Sequence, residues 1–234
     1  MVEKSIAIEY LTKNEHEYSS RWKNKQYLIV PNGITLPEIK NKIFSSFCIK
    51  ASFIGRLDVY HKGIDLLLEA ISLVKKELRS VFFHLSIYGH NQNNSKENIN
   101  RIINDLCIAD LVSVHDGVYG NEKIKVLRET DVFVHTSRFE GLPMSILEAL
   151  SYGIPCLVTP GTNMDQIINK MDAGWNSEFN SAAISNVLKK IVEEKNVWKN
   201  KSNNARKLAS AYSWDVIAKN AHDKYEELLR KINL

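Results

Sequence analysis

The stretch Val132-Phe-Val-His-Thr-Ser-Arg-Phe-Glu-Gly-Leu-Pro-Met-Ser-Ile-Leu-Glu-Ala-Leu-Ser-Tyr-Gly-Ile-Pro-Cys-Leu-Val-Thr159 reads as strand, loop, helix and strand in turn. Val132 to His135 is a short apolar run of strand length, followed by a polar loop. A helix is expected to begin at Pro143, whose missing N–H costs nothing in a first turn, and to run through Met144 to Tyr152. Gly153-Ile-Pro155 then closes it before the apolar strand Cys156 to Thr159. A strand, a helix and a further strand at this spacing make a βαβ unit, and hence a parallel sheet.

The same switch between strand-like runs and one-faced stripes recurs on both sides. Further strands are expected at Ala51 to Gly55, Phe82 to Tyr88 and Val112 to His115, with a short one at Gly174 to Asn176. Helices are expected at Ile64 to Leu78, Ser95 to Cys107, Glu122 to Glu129, Ala182 to Glu194 and Val197 to Tyr212. Leu67, Leu68, Ile71, Val74 and Leu78 form the buried stripe of the first of these. The fold class is α/β, a Rossmann-like parallel sheet flanked by helices. A long C-terminal helix should open at Ser213 as N-cap and carry Trp214, Ile217, Ala221, Tyr225 and Leu228 on one face.

Composition narrows the possibilities. A chain of 234 residues with 44% hydrophobic content can bury one good core. A formal charge of +4 is compatible with an anionic nucleotide ligand but lacks the clustered excess that nucleic-acid binding requires. Cys48, Cys107 and Cys156 are far apart, without metal or redox spacing, and are expected to be reduced, buried thiols. No run approaches the roughly 18 apolar residues needed to span a bilayer, and the first residues lack a secretory pattern. The expected location is cytoplasmic, including the inner face of the membrane as a peripheral protein.

Two groups of residues carry chemistry. In Phe53-Ile-Gly-Arg-Leu-Asp-Val-Tyr-His-Lys62, a strand ends at Gly55 and is followed by Arg56 and Lys62. Arg offers a planar fork and Lys a mobile point charge, the pair a diphosphate needs. Alone, two cations in a loop are ordinarily solvated surface charges. In the second group, Glu140 precedes a helix and Glu148 lies on it, eight positions later. That disposition does not suit a glycosidase pair flanking one bond. It does suit recognition of sugar hydroxyls, with Gly141, Leu142 and Met144 offering amides at a helix start while Pro143 has no N–H to give. The plainer alternative is a helix N-terminal turn in which the dipole favours Glu140.

The wording Glu140-Gly-Leu-Pro143, then Glu148-Ala, then Gly153-Ile-Pro155 and a hydrophobic strand resembles the donor-binding motif of group 1 retaining glycosyltransferases (GT4), which have the two-domain GT-B architecture. The resemblance runs from about Ile29 to the C-terminus. It implies the C-terminal, donor-binding half of such an enzyme, which moves a hexose from a UDP- or GDP-sugar to a glycan or glycolipid acceptor. The residues matching Arg56 and Lys62 hold the diphosphate in the family, the residue matching Glu140 faces the hexose, and the residue matching Glu148 binds the ribose. Arg56, Lys62 and Glu140 are thus the expected catalytic residues. Gly55, Ser137, Gly141, Leu142, Pro143, Met144 and Glu148 are expected to line the donor site. The backbone near Val118 is expected to meet the base, with Tyr119 either stacking on it or simply packing. Arg138 is a weaker candidate, and His135 is expected to end a strand inside the core.

No metal or separate cofactor is implied. By the same resemblance, residues 1–28 correspond to the tail of an N-terminal domain, 29–44 to a hinge containing Pro31-Asn32-Gly33, 45–212 to the nucleotide-sugar domain and 213–234 to a crossover helix. A missing N-terminal domain is therefore an implied partner, and a non-catalytic nucleotide-sugar-binding module working with a separate chain is the alternative. A dinucleotide-binding module is disfavoured because no GxGxxG run follows the first strand. The chain departs from the family pattern at His90 to Asn94 and at Pro160 to Met164, both loop ends near the candidate site.

Overall fold

The computed structural model describes residues 5–19, 21, 25–38, 42–45 and 47–232, and the side chain of residue 232 is outside that description. The ends of the expected N-terminal remnant and crossover helix, part of the hinge, and residues 22–24 also fall outside it. In chain order the elements are β1 (Ile8–Tyr10), α1 (Lys13–Tyr18), β2 (Tyr27–Ile29), β3 (Ile49–Ile54), α2 (Ile64–Leu73), α3 (Lys75–Ser80), β4 (Phe83–Tyr88), α4 (Ser95–Asp105) and β5 (Val112–His115). They continue with α5 (Gly120–Glu129), β6 (Val132–His135), α6 (Met144–Ser151), β7 (Cys156–Val158), α7 (Asp165–Lys170), β8 (Gly174–Asn176), α8 (Ser181–Glu193), α9 (Trp198–Ser210) and α10 (Trp214–Ile232).

Strands β3 to β8 form one six-stranded sheet in the order β5-β4-β3-β6-β7-β8, and every pairing is parallel. Alternate residues of each strand face opposite sides of a sheet, so the two faces bury separate cores. Ile49, Ala51, Phe53, Leu85 and Ile87 pack with α2 and α8 on one side. Phe133, Cys156 and Val158 pack with α6 and α9 on the other. Burying each of the larger side chains is worth about 1.5–3 kcal/mol, and this double covering explains why β6 and β7, buried at every residue, read as near-continuous apolar runs.

The structure revises several boundaries. The helix expected over Ile64 to Leu78 breaks at Val74, whose φ of −121° is not helical; the stripe nevertheless stays buried, because α3 resumes directly with Leu78 inward. Phe82 belongs to the turn before β4, with φ 51° and an exposed ring. The expected helix Ser95 to Cys107 stops at Asp105, and Cys107 is left-handed and exposed. The expectation of three buried thiols therefore holds for Cys156 alone, since Cys48 is half-buried. The N-terminal segment contains a parallel strand pair, β1 with β2, and one helix capped by Thr12 Oγ1, which accepts from the Glu15 N–H at 3.1 Å. Helix α7, in the apolar-poor run after Met164, was not anticipated.

Helix α10 opens after Ser213 as expected, with Ser213 Oγ accepting from the Val216 N–H at 3.4 Å. It returns over the N-terminal strand pair: Lys224 Nζ donates to the Ile29 carbonyl at 2.5 Å, and the Tyr225 hydroxyl donates to the Glu9 carboxylate. Among the described residues no helix is long and apolar enough to cross a membrane.

Candidate functional site

Strands β3 and β6 are neighbours, and the chain leaves them toward opposite faces, to α2 and to α6. A crevice therefore opens beyond their C-terminal ends, which is where ligands bind in open parallel sheets. The loop after β3 is a compact turn: Lys62 N–H donates to the Asp58 carbonyl at 2.9 Å, and Ile64 N–H to the Val59 carbonyl at 3.0 Å. It closes at Gly63, where φ is +63° and a Cβ would stand 2.1 Å from the Thr136 carbonyl oxygen. Only glycine fits so close a backbone approach.

The loop after β6 is bolted onto this turn. Arg138 N–H donates to the His61 carbonyl at 2.8 Å, and the Arg138 guanidinium makes both of its forked contacts with Asp65, each at 2.8 Å. The same guanidinium lies 4.1 Å from the Tyr60 ring centroid. Arg138 thus clamps the two loops together.

Between the loops Lys62, only 7% exposed, is ion-paired with Glu140. The same carboxylate oxygen, Oε1, accepts from Ser137 Oγ at 2.7 Å and pairs with His135 Nε2 at 3.0 Å. Burial alone would raise the Glu140 carboxyl, but the bonds from His135, Lys62 and Ser137 outweigh it and hold the pKa at about 2. Burial pushes the His135 imidazole down, with Glu140 opposing. The two tendencies are reconciled by a neutral ring that donates its Nε2–H to an ionised Glu140. The Nδ1 atom then keeps a buried lone pair without a partner among the described residues. Three donors converge on Oε1, and no hydrogen bond among the described residues engages Oε2.

Ser137, Glu140 and Lys62 thus come together as the sequence suggested, with Gly55 alongside, where a Cβ would lie 3.9 Å from Lys62 Cε. Helix α6 begins at Met144 with Pro143 as its N-cap. The N–H groups of Gly141, Leu142 and Met144 donate to no described residue, while the Leu142 side chain is buried in the second core. Other candidates stand apart. Arg56 is exposed and lines a separate cavity of about 290 Å³ with Asp58, Tyr60, Gln92 and Asn98. Glu148 pairs with Lys123 at 2.6 Å beside a cavity of about 490 Å³ that also includes Gly33, Thr35 and Trp214. Val118 is buried, and Tyr119 is 72% exposed at the start of α5.

Sequence reasoning missed three contributors. His135 ends β6 inside the core, as the sequence suggests, but its hydrogen bond with Glu140 has no local sequence signal. Lys123 carried no local signal for its contact with Glu148, since the two lie on different helices. Asn163 lies in the loop Pro160 to Met164, where the sequence shows a departure from the family pattern and no signal for a contact with the Glu140 turn.

A family model for "Glycosyl transferases group 1" matches residues 48–208. The chain belongs to this family. It is 30% identical over 110 residues to the mannosylfructose-phosphate synthase of Agrobacterium fabrum, covering 45% of this chain and 24% of that protein. It is 23% identical over 175 residues to the N,N'-diacetylbacillosaminyl-diphospho-undecaprenol alpha-1,3-N-acetylgalactosaminyltransferase of Campylobacter jejuni, covering 74% of this chain and 44% of that one. The chain thus spans less than half the length of either of these curated relatives. Among solved structures, the sucrose-phosphate synthase of Thermosynechococcus elongatus superposes with a TM-score of 0.80 at 19% identity, over 98% of this chain and 60% of that one. A pneumococcal O-GlcNAc transferase solved with UDP and GlcNAc gives 0.72 at 16% identity, over 97% and 46%. These likenesses establish the GT-B type of fold for the group 1 chain described here.

Proposed function

We propose that this group 1 chain is the donor-binding half of a retaining glycosyltransferase, moving a hexose from a UDP- or GDP-sugar to a glycan or glycolipid acceptor. The observation that carries this reading is the ionised Glu140 held by Lys62, His135 and Ser137 at the mouth of the β3–β6 crevice. In this reading Lys62, with Arg56 arriving from its solvent-exposed position, meets the donor diphosphate and stabilises the charge that builds there as the glycosidic bond breaks. Glu140 accepts hexose hydroxyls through Oε2. Gly141, Leu142 and Met144 supply backbone donors, Glu148 accepts the ribose hydroxyls, and the Val118–Tyr119 segment meets the base. Residues 45–212 are the nucleotide-sugar domain, and an acceptor-binding N-terminal domain is its partner. Surface association with a membrane would then follow from the acceptor.

A second reading is a non-catalytic nucleotide-sugar-binding module that works with a separate chain. Calorimetric titration of the full chain with UDP-hexose, GDP-hexose, UDP and GDP, followed by a transfer assay with lipid-linked saccharide acceptors, separates the two. Donor binding with transfer supports the enzyme, and donor binding without transfer supports the module. No binding of any of the four ligands would end both readings.

A further inference from the structure

We propose that Asn163 is a positioning residue for the Glu140–Gly141 turn and that Asn14, 149 positions away in the chain, links the N-terminal segment to that turn through it. The inference rests on the reading of this turn as the place where the donor sugar is held.

Asn163 sits in the loop after β7, at the end of a single 3₁₀ turn, Pro160–Thr162, with φ 56°. Asn tolerates this left-handed conformation better than most residues. Its amide Nδ2 donates twice, to the Glu140 carbonyl at 2.5 Å and to the Gly141 carbonyl at 3.1 Å. Both carbonyls belong to the turn that carries the Glu140 carboxylate. The rest of the loop braces the preceding residues: Thr159 Oγ1 donates to the Ser137 carbonyl at 3.0 Å. Gly161 is packed so tightly that a Cβ would lie 2.3 Å from the carbonyl oxygens of both Ser137 and Arg138. One loop thus supports the backbone of Ser137 to Gly141 from behind, while Lys62, His135 and Ser137 fix the carboxylate from the front.

The free acceptor of Asn163, Oδ1, is taken by Asn14 Nδ2 at 3.1 Å. Asn14 lies in α1, and just before that helix Leu11 Cδ1 comes 3.6 Å from where a Gly141 Cβ would be. The N-terminal segment therefore touches the turn twice, once directly and once through the amide. A side chain with two donors and one acceptor all engaged holds one orientation. A shift of α1 is therefore transmitted to the turn as a rotation of the Asn163 amide. This role belongs to backbone placement, not to contact with the donor.

The test uses the full chain and three substitutions. Asn163→Gly keeps the left-handed backbone and removes the amide, Asn163→Asp puts a carboxylate against two carbonyl oxygens, and Asn14→Ala cuts the link alone. Affinity for UDP-hexose or GDP-hexose should fall about tenfold in both Asn163 variants and about threefold in Asn14→Ala, while that for UDP or GDP changes less than about twofold. NMR order parameters of the Gly141 and Leu142 backbone amides should fall in Asn163→Gly with or without ligand. Equal losses for nucleotide sugars and nucleoside diphosphates, or unchanged affinities in a chain that binds donor, would overturn the positioning role. Unchanged order parameters would overturn it even in a chain that binds no donor. Absence of donor binding by the unsubstituted chain would instead sink the functional reading on which the role depends.

Discussion

Glu140 and His135 both hold their protons less tightly in the fold than in the unfolded chain, and the site's response to pH follows from that. The Glu140 carboxyl sits at about 2, below the 4.5 of an ordinary glutamate, and the His135 imidazole below 6.5. In both cases the unfolded chain binds more protons than the folded one across the shifted interval, so stability rises with pH there. Acidification should first cost stability below pH 6.5, as His135 must stay neutral in the fold. It should cost more between pH 4.5 and about 2, as the ionised Glu140 is lost. Urea midpoints measured across this range should fall accordingly, and in Glu140→Gln the slope below pH 4.5 should flatten. An unchanged slope would mean that Glu140 is not held ionised. The cations make a separate claim. Lys62→Ala and Arg56→Ala should each weaken UDP or GDP by roughly 1.5–3 kcal/mol while leaving uridine or guanosine nearly untouched, as expected of charge-assisted contacts. Calorimetric titration of each pair of ligands decides it, and equal losses for diphosphate and nucleoside would remove the diphosphate from these residues.

At the scale of elements, the junction of the two crevice loops depends on Gly63. Alanine there would be forced into a left-handed conformation and would drive its Cβ to within 2.1 Å of the Thr136 carbonyl oxygen. Neither backbone can yield freely, because the Thr136 hydroxyl also donates to the Gly63 carbonyl at 3.1 Å. Gly63→Ala should therefore cost about 3 kcal/mol, above the roughly 1 kcal/mol of conformational strain alone, measurable by equilibrium urea unfolding. A loss within about 0.5 kcal/mol would show that the loops relax independently. Strands β6 and β7 were legible in the sequence because every residue of each is buried and so they read as apolar runs, whereas β4 is buried only at alternate residues. The motif Glu140-Gly-Leu-Pro143 was legible because turn chemistry and a helix start are local. The break at Val74 was not, since the stripe that marks the helix continues across it undisturbed. Nor were the roles of Asn163 and Lys123 visible, for their partners are set by which loops and helices the sheet order brings side by side. The pairing of Arg138 with Asp65 is equally invisible in the sequence, because it is made across the loop junction.

For the molecule as a whole, the two ends of the chain are tied to each other. Ile34 N–H donates to the Tyr212 carbonyl at 2.8 Å and Trp214 N–H to the Ile34 carbonyl at 3.2 Å, so the start of α10 is stitched to the segment after β2. A two-stranded sheet such as β1–β2 is marginal alone, and α10 supplies its cover through Lys224 and Tyr225. The closest point of this seam is Gly33, where a Cβ would lie 2.6 Å from two ring atoms of Trp214 and 3.0 Å from its Cα. Gly33→Ala should therefore push α10 off the N-terminal segment at a cost of about 1–3 kcal/mol, the range for overpacking. The main sheet, whose cores do not include Gly33, should persist. Trypsin should then cut at Lys219 and Lys224 much faster than in the unsubstituted chain, while the near-ultraviolet signal of buried Trp175 and Trp198 survives. Adding Trp214→Ala removes the ring atoms in the clash but not the contact at Cα, so it should recover part of the loss and give a non-additive pair. If Gly33→Ala costs the same with and without the Trp214 ring, the seam is held by its backbone bonds alone, and the ring's fit over the glycine contributes nothing to how the ends are joined.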